Sequence, residues 1–207
     1  MAQSNRIVLA SASPRRRELL AQVGVKFGIV PSNAPEVVLP NETPEAHVTR
    51  LSLDKAREVA ARADVAGRWF IGSDTVVVRD GSILGKPRDA ADAATMLRSL
   101  SGRSHRVWSG YAIIDRHTAT EEAAACVTEV TFKELTDAEI AGYIATGEPM
   151  DKAGAYGIQG IGMFMVSAIN GSYPNVVGLP VCDVVTCLEK LGAFQLFAAK
   201  KEQADTA

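Results

Sequence analysis

Two serines, a proline and three arginines stand together in Ile7-Val8-Leu9-Ala10-Ser11-Ala12-Ser13-Pro14-Arg15-Arg16-Arg17-Glu18-Leu19-Leu20. The apolar run reads as a strand. Pro14 reads as a first helical residue with Ser13 as its N-cap. The helix carries Leu19, Leu20 and Val23 on one side and stops near Gly24. Ser11, Ser13, Arg15 and Arg16 therefore converge on a helix N-terminus, whose unpaired N–H groups and dipole attract anions. Arginines in a first turn oppose that dipole, so local helix energetics do not account for them. A phosphorylated ligand does; a solvated basic turn is the plainer alternative.

Further charged or polar positions stand where structure alone does not favour them. Asp74 falls between two apolar runs, 69–71 and 76–78. A carboxylate there is costly unless it is paired, hydrogen-bonded or on a metal, or caps a bend. Lys55 lies four residues after Leu51 and four before Val59, in line with an apolar helix stripe, either as a functional cation or as a snorkelling stem. Lys86 in Gly81-Ser82-Ile83-Leu84-Gly85-Lys86-Pro87 looks like part of a P-loop, but the run is one residue short and Pro87 replaces the hydroxyl residue. Glu36 sits in a proline-bracketed loop and by itself reads as a surface acid. Gln159, in a glycine-rich run, offers an amide that both donates and accepts, which suits the O4 and N3–H edge of thymine or uracil. A structural loop glutamine reads equally well.

The elements that must position these groups follow from periodicity and punctuation. Thr43-Pro44-Glu45 caps a second helix reaching about residue 63. A strand begins at Arg68, is interrupted over residues 72–75 and resumes at Val76. Asp80-Gly81 is a hairpin signal. A helix starts at Asp89, antiparallel strands fill residues 105–132, and Thr136 with Glu139 forms a capping box for a helix ending at Gly147. Pro180 begins a last helix, and the tail after Phe194 starts helical. Strands and helices mix without strict alternation, which predicts an α/β or α+β mixed, twisted sheet flanked by helices, in two lobes around a central cleft.

The 207 residues suit one domain, with 47% hydrophobic and 22% charged residues as in ordinary globular proteins. A net charge of −2 argues against bulk nucleic-acid binding. No secretory or membrane-spanning apolar run stands out. Three cysteines, Cys126, Cys182 and Cys187, lack a CxxC pair and read as buried free thiols in a reducing cytoplasm.

Taken together the segments resemble the Maf family of nucleoside triphosphate pyrophosphatases, over residues 7 to about 191. The likeness rests on Ser11 to Arg16, Gly72-Ser73-Asp74-Thr75, Gly85-Lys86-Pro87, the stretch from Leu100 to His105, residues 151–160, Gly171-Ser172-Tyr173 and residues 176–180. It implies a single Maf-like domain over 1–195, of the fold shared with inosine triphosphatases, and a tail over 196–207. Thr75 after the aspartate and Tyr156-Gly157-Ile158-Gln159-Gly160 look like the branch that hydrolyses dTTP and UTP. In that branch Asp74 holds the place of the proton acceptor, while Arg15, Thr75 and Gln159 hold places tied to substrate choice. The implied assignment gives the phosphates to Ser11, Ser13, Arg15 and Arg16, completes the cage with Lys55 and Lys86, and puts Mg²⁺ or Mn²⁺ on Glu36 and Asp74. Ala34-Pro35 precedes Glu36 where relatives often carry an extra acid. A homodimer is also implied. The competing functions are the same chemistry on 7-methyl-GTP or a modified pyrimidine nucleotide, and a nucleotide-binding regulator of septum formation.

Overall fold

The computed structural model describes residues 6–197. A seven-stranded mixed sheet runs through it in the order β2-β1-β3-β5-β6-β7, with β4 added to the end of β3. β1 (Ile7–Leu9) lies between β2 (Phe27–Ile29) and β3 (Trp69–Arg79) and is parallel to both. β4 (Ser82–Leu84), β5 (Ser104–Asp115), β6 (Thr120–Phe132) and β7 (Val166–Asn170) continue it with antiparallel pairings. The short β2 and β7 lack the length to show in the sequence pattern. Asp80 and Gly81 both have positive φ, as the tight β3–β4 hairpin requires.

β3 is where the sequence expectation needs correction. It is one unbroken strand of eleven residues, with continuous register against β5 from Trp69 opposite Asp115 to Val78 opposite Arg106. Residues 72–75 do not interrupt it. Their break in apolar pattern has another cause: β1 pairs only with Trp69 to Ile71 and β4 only from Val77, so on that side the middle of β3 has no strand partner. Polar side chains collect at this unpaired edge, beyond the carboxyl end of β1, where open α/β sheets place their ligands.

Among the described residues, six α-helices cover the sheet. α1 (Pro14–Gln22) has Pro14 at its first position and Ser13 accepting from Arg16 N–H. α2 (Pro44–Ala60) is capped by Thr43. α3 (Ala90–Leu100) and α4 (Asp137–Ala145) follow, the latter with the expected capping box. α5 (Tyr173–Val177) and α6 (Val181–Lys190) come last. Residues 194–197 are not helical, with a turn only at 196–197, where a helix was expected, and the rest of that expected tail lies outside the described residues.

Alternation along β3 divides its side chains between two faces. Phe70, Gly72, Asp74, Val76 and Val78 face α2. Phe70 joins Val8, Ala56, Val59 and Ala112, while Val76 and Val78 join Val48. On the opposite face, Trp69 and Ile71 pack with Leu9, Leu20, Leu179 and Leu188, and Val77 packs with Leu97, Leu100, Phe132 and Tyr156. Two glycines let α2 lie close on the sheet. A Cβ at Gly72 would stand 2.0 Å from the Ser52 carbonyl oxygen, and one at Gly110 2.2 Å from that of Val48. Of the three cysteines expected to be buried, only Cys187 is, and Cys182 is exposed. Among the described residues no helix is long and apolar enough to cross a membrane.

Candidate active site

A cavity of about 580 Å³ opens at the unpaired edge of β3. It is walled by the β1–α1 turn, the loop holding Glu36, the inner face of α2, the β4 hairpin and the glycine-rich segment around Gln159. All ten residues singled out from the sequence line it: Ser11, Ser13, Arg15, Arg16, Glu36, Lys55, Asp74, Thr75, Lys86 and Gln159.

At its floor, Lys55 Nζ lies 2.7 Å from Asp74 Oδ1 and 2.5 Å from Glu36 Oε1. Asp74 is 7% exposed, and it faces α2 opposite Gly110, a position without a side chain. Lys55 is 7% exposed. Its helix is drawn down by the two close-approach glycines, so the ammonium meets the carboxylate instead of snorkelling to solvent. A buried carboxylate with a buried cation against it satisfies the condition that its position imposes. Burial weighs against ionising Glu36. The bond to Lys55 and the charges of Lys55, Lys86 and Arg16 outweigh it, so its pKa falls below the ordinary value. Glu36, a surface acid by local pattern, is thus part of the charged centre.

The two arginines of the first helical turn diverge. Arg16 points inward. Its Nε donates to the Gly178 carbonyl at 2.8 Å, Nη1 to Ser11 Oγ at 3.2 Å and Nη2 to Thr75 Oγ1 at 3.1 Å. Burial lowers its pKa, against the pull of Asp74 and Glu36 upward. It remains a cation, since guanidinium does not lose its proton in proteins. Arg15 points across the mouth to Asp151, at 3.2 Å. Ser11 Oγ accepts from the Ser13 N–H at 3.2 Å, so the two serines brace the turn before α1. Thr75 lies on the face of β3 opposite to Asp74. Its hydroxyl is 2.8 Å from Ser109 Oγ and 3.2 Å from the Gly178 carbonyl, so it holds Arg16 as well as lining the cavity. Lys86 is exposed on the hairpin at the rim, and Gln159 is half-buried on the far wall.

Three participants were given no role from the sequence. Asp151 and Gly178 lie in two of the segments that carry the family likeness, residues 151–160 and 176–180, but no local pattern marks either for the site. His47 does have such a pattern: it precedes Leu51 and Lys55 at intervals of four, on the same helix face. It is 3% exposed, lines the cavity and sets Nδ1 2.9 Å from Glu42 Oε2, which Arg50 clamps through Nε and Nη2 at 2.6 and 2.8 Å.

The lining holds five cations, Arg15, Arg16, Lys55, Lys86 and Lys152, against three carboxylates, Glu36, Asp74 and Asp151. That excess suits a polyanion but falls short of the roughly four negative charges of a nucleoside triphosphate. Among the described residues no three His, Cys, Asp or Glu side chains cluster as a ready-made metal site. The donor set nonetheless fits a hard divalent ion. Two carboxylates already converge on one cation, and Mg²⁺-type ions take one or two carboxylates together with phosphate oxygens and water.

A model of the family described as Maf-like protein matches residues 6–191 of this chain. The dTTP/UTP pyrophosphatase of Syntrophotalea carbinolica is 68% identical over 195 residues, covering 94% of this chain and 89% of that protein. The dTTP/UTP pyrophosphatase of Geobacter sulfurreducens is 56% identical over 191 residues, covering 92% and 99%. That of Myxococcus xanthus is 48% identical over 186 residues, covering 90% and 92%.

Proposed function

The chain belongs to the Maf family, and from that premise we propose that it is a nucleoside triphosphate pyrophosphatase acting on dTTP and UTP. Water adds to the α phosphorus, the α–β phosphoanhydride breaks, and the monophosphate and pyrophosphate leave. The observation that carries the reading is the Glu36–Lys55–Asp74 bridge at the floor of a cationic cavity beside a helix N-terminus.

The barrier to this reaction is electrostatic, because the nucleophile must approach an anion. In our reading Ser11, Ser13, Arg16 and the N–H groups opening α1 take phosphate oxygens. Arg15 exchanges Asp151 for phosphate, and Lys55 and Lys86 add charge from other walls. Asp74 is the general base: it is held by Lys55, is buried and lines the cavity, where in this reading it orients a water and accepts its proton. Glu36 and Asp74 would hold Mg²⁺ or Mn²⁺, which would supply charge neutralisation on the polyphosphate. Gln159 meets the pyrimidine edge, and Thr75 sets the guanidinium of Arg16. A cytoplasmic homodimer acting on free nucleotide, without nucleic-acid partners, completes the reading; light scattering tests the dimer.

The test incubates the protein with Mg²⁺ or Mn²⁺ and dTTP, UTP, CTP or 7-methyl-GTP, and measures monophosphate and pyrophosphate. Equimolar pyrophosphate and dTMP or UMP are expected, with turnover falling by about a hundredfold or more in Asp74→Asn. Preference for 7-methyl-GTP would overturn the substrate assignment. Tight nucleotide binding without any product would favour the regulator.

A further inference from the structure

The Gln159 amide is carried on a loop that Glu148 and Tyr143 tie down from outside the cavity. Residues 157–162 wrap around Tyr143, on α4, and Glu148, just after it. The Gly157 N–H donates to Tyr143 Oη at 3.1 Å, and that hydroxyl donates to Glu148 Oε1 at 2.9 Å. The Ile161 N–H donates to Glu148 Oε2 at 3.0 Å and the Gly162 N–H to Oε1 at 3.1 Å. Both flanks of Gln159 are thus fastened to one pair of side chains, while Ile158 is buried in the main core. The fit leaves no slack. A Cβ at Gly160, which has φ +73°, would stand 2.8 Å from Glu148 Oε2, and one at Gly162 2.3 Å from the Gly157 carbonyl oxygen. Neither Tyr143 nor Glu148 lines the cavity. Any influence they have on a ligand passes through the loop.

We propose that Glu148, acting with Tyr143, is a positioning residue for pyrimidine selection, because it fixes the loop that aims the Gln159 amide. This rests on the reading of Gln159 as the group that meets the base. A glutamine side chain is long and rotatable, so its selectivity depends on where its backbone is held, and sub-ångström displacement of a recognition group is enough to lose it. Glu148→Gln keeps the size of the side chain but turns one accepting oxygen into a donor facing a backbone N–H. One flank of the loop is released.

The experiment compares kcat/KM for dTTP and for dCTP in the wild type, Gln159→Ala, Glu148→Gln and the double variant, with circular dichroism and thermal melting as folding controls. Gln159→Ala is expected to lower the dTTP/dCTP ratio by about tenfold or more. Glu148→Gln should lower the same ratio by at least about fivefold, mainly through KM for dTTP. The double variant should fall no further than Gln159→Ala alone, since both act through one amide. A ratio that collapses in Gln159→Ala but stays at the wild-type value in a folded Glu148→Gln protein would overturn the positioning role and leave the base reading intact. An unchanged ratio in Gln159→Ala would overturn both. Should Glu148→Gln not fold, Tyr143→Phe carries the same comparison, because it keeps the buried ring and removes the bond to the Gly157 N–H.

Discussion

Replacing Lys55 by methionine separates the structural and chemical parts of the charged centre. The substitution keeps most of the stem and deletes the cation that touches Asp74 at 2.7 Å and Glu36 at 2.5 Å. The Glu36 side chain is 55% exposed and water takes over its solvation, so the cost falls on Asp74, which is 7% exposed. Breaking a buried pair by removing one partner costs about 3–5 kcal/mol. The cavity admits water beside Asp74, so we expect the lower end, about 3 kcal/mol, or a folding equilibrium shifted by roughly a hundredfold. Adding Asp74→Asn removes the stranded charge and should return about 2 kcal/mol. Activity should behave differently: Lys55→Met loses about a hundredfold or more in turnover, and the double variant recovers none of it. Urea unfolding followed by circular dichroism, beside pyrophosphate release, reads both quantities. A Lys55→Met protein less than about 1 kcal/mol weaker than wild type, or a double variant no more stable than the single, would refute this account of how Asp74 is held.

Two further outcomes follow from the packing and from a buried imidazole. Gly110→Ala sets a Cβ 2.2 Å from the backbone of α2, which must lift to admit it. We expect a loss of about 3 kcal/mol in urea unfolding and a fall in activity beyond the unfolded fraction, because lifting α2 carries Lys55 away from Asp74. Wild-type stability and turnover in that variant would refute the close-approach argument. His105 is 4% exposed, its Nε2 is 2.8 Å from Tyr156 Oη, and burial pushes its pKa down to about 4 from an ordinary 6.5. Between those values the unfolded chain binds a proton that the folded protein does not. Its contribution is therefore complete above pH 6.5 and is lost as pH falls toward 4. The wild type should lose about 2 kcal/mol more than His105→Gln between pH 7 and pH 4.5; equal losses would show that His105 titrates normally.

Most of the site is legible along the chain because its parts are local. Ser13 and Pro14 signal a helix start, which the structure repeats, and the serines and arginines around them mark that turn as a candidate anion site before any contact is known. The capping box of α4, the Asp80-Gly81 hairpin and the long antiparallel pair β5–β6 are likewise local signals that the structure repeats. What local pattern misread is the middle of β3. Residues 72–75 look like a break because their polarity answers to neighbours far along the chain, and no window on the sequence contains the ends of β1 and β4. Glu36 is another case, ordinary in its loop until Lys55 is brought to it. The sequence by itself determined where α1, α2 and α4 begin, the β3–β4 turn, the residue types available for phosphate chemistry and the family, since each is written within a few residues or in motif order. Only the tertiary structure decided that Lys55 bridges Asp74 and Glu36, that Arg16 turns inward while Arg15 spans the mouth, and that Glu148 ties down the loop of Gln159. Those pairings join elements up to 162 residues apart, and they depend on how closely backbones approach, which close-packed glycines set and periodicity does not record.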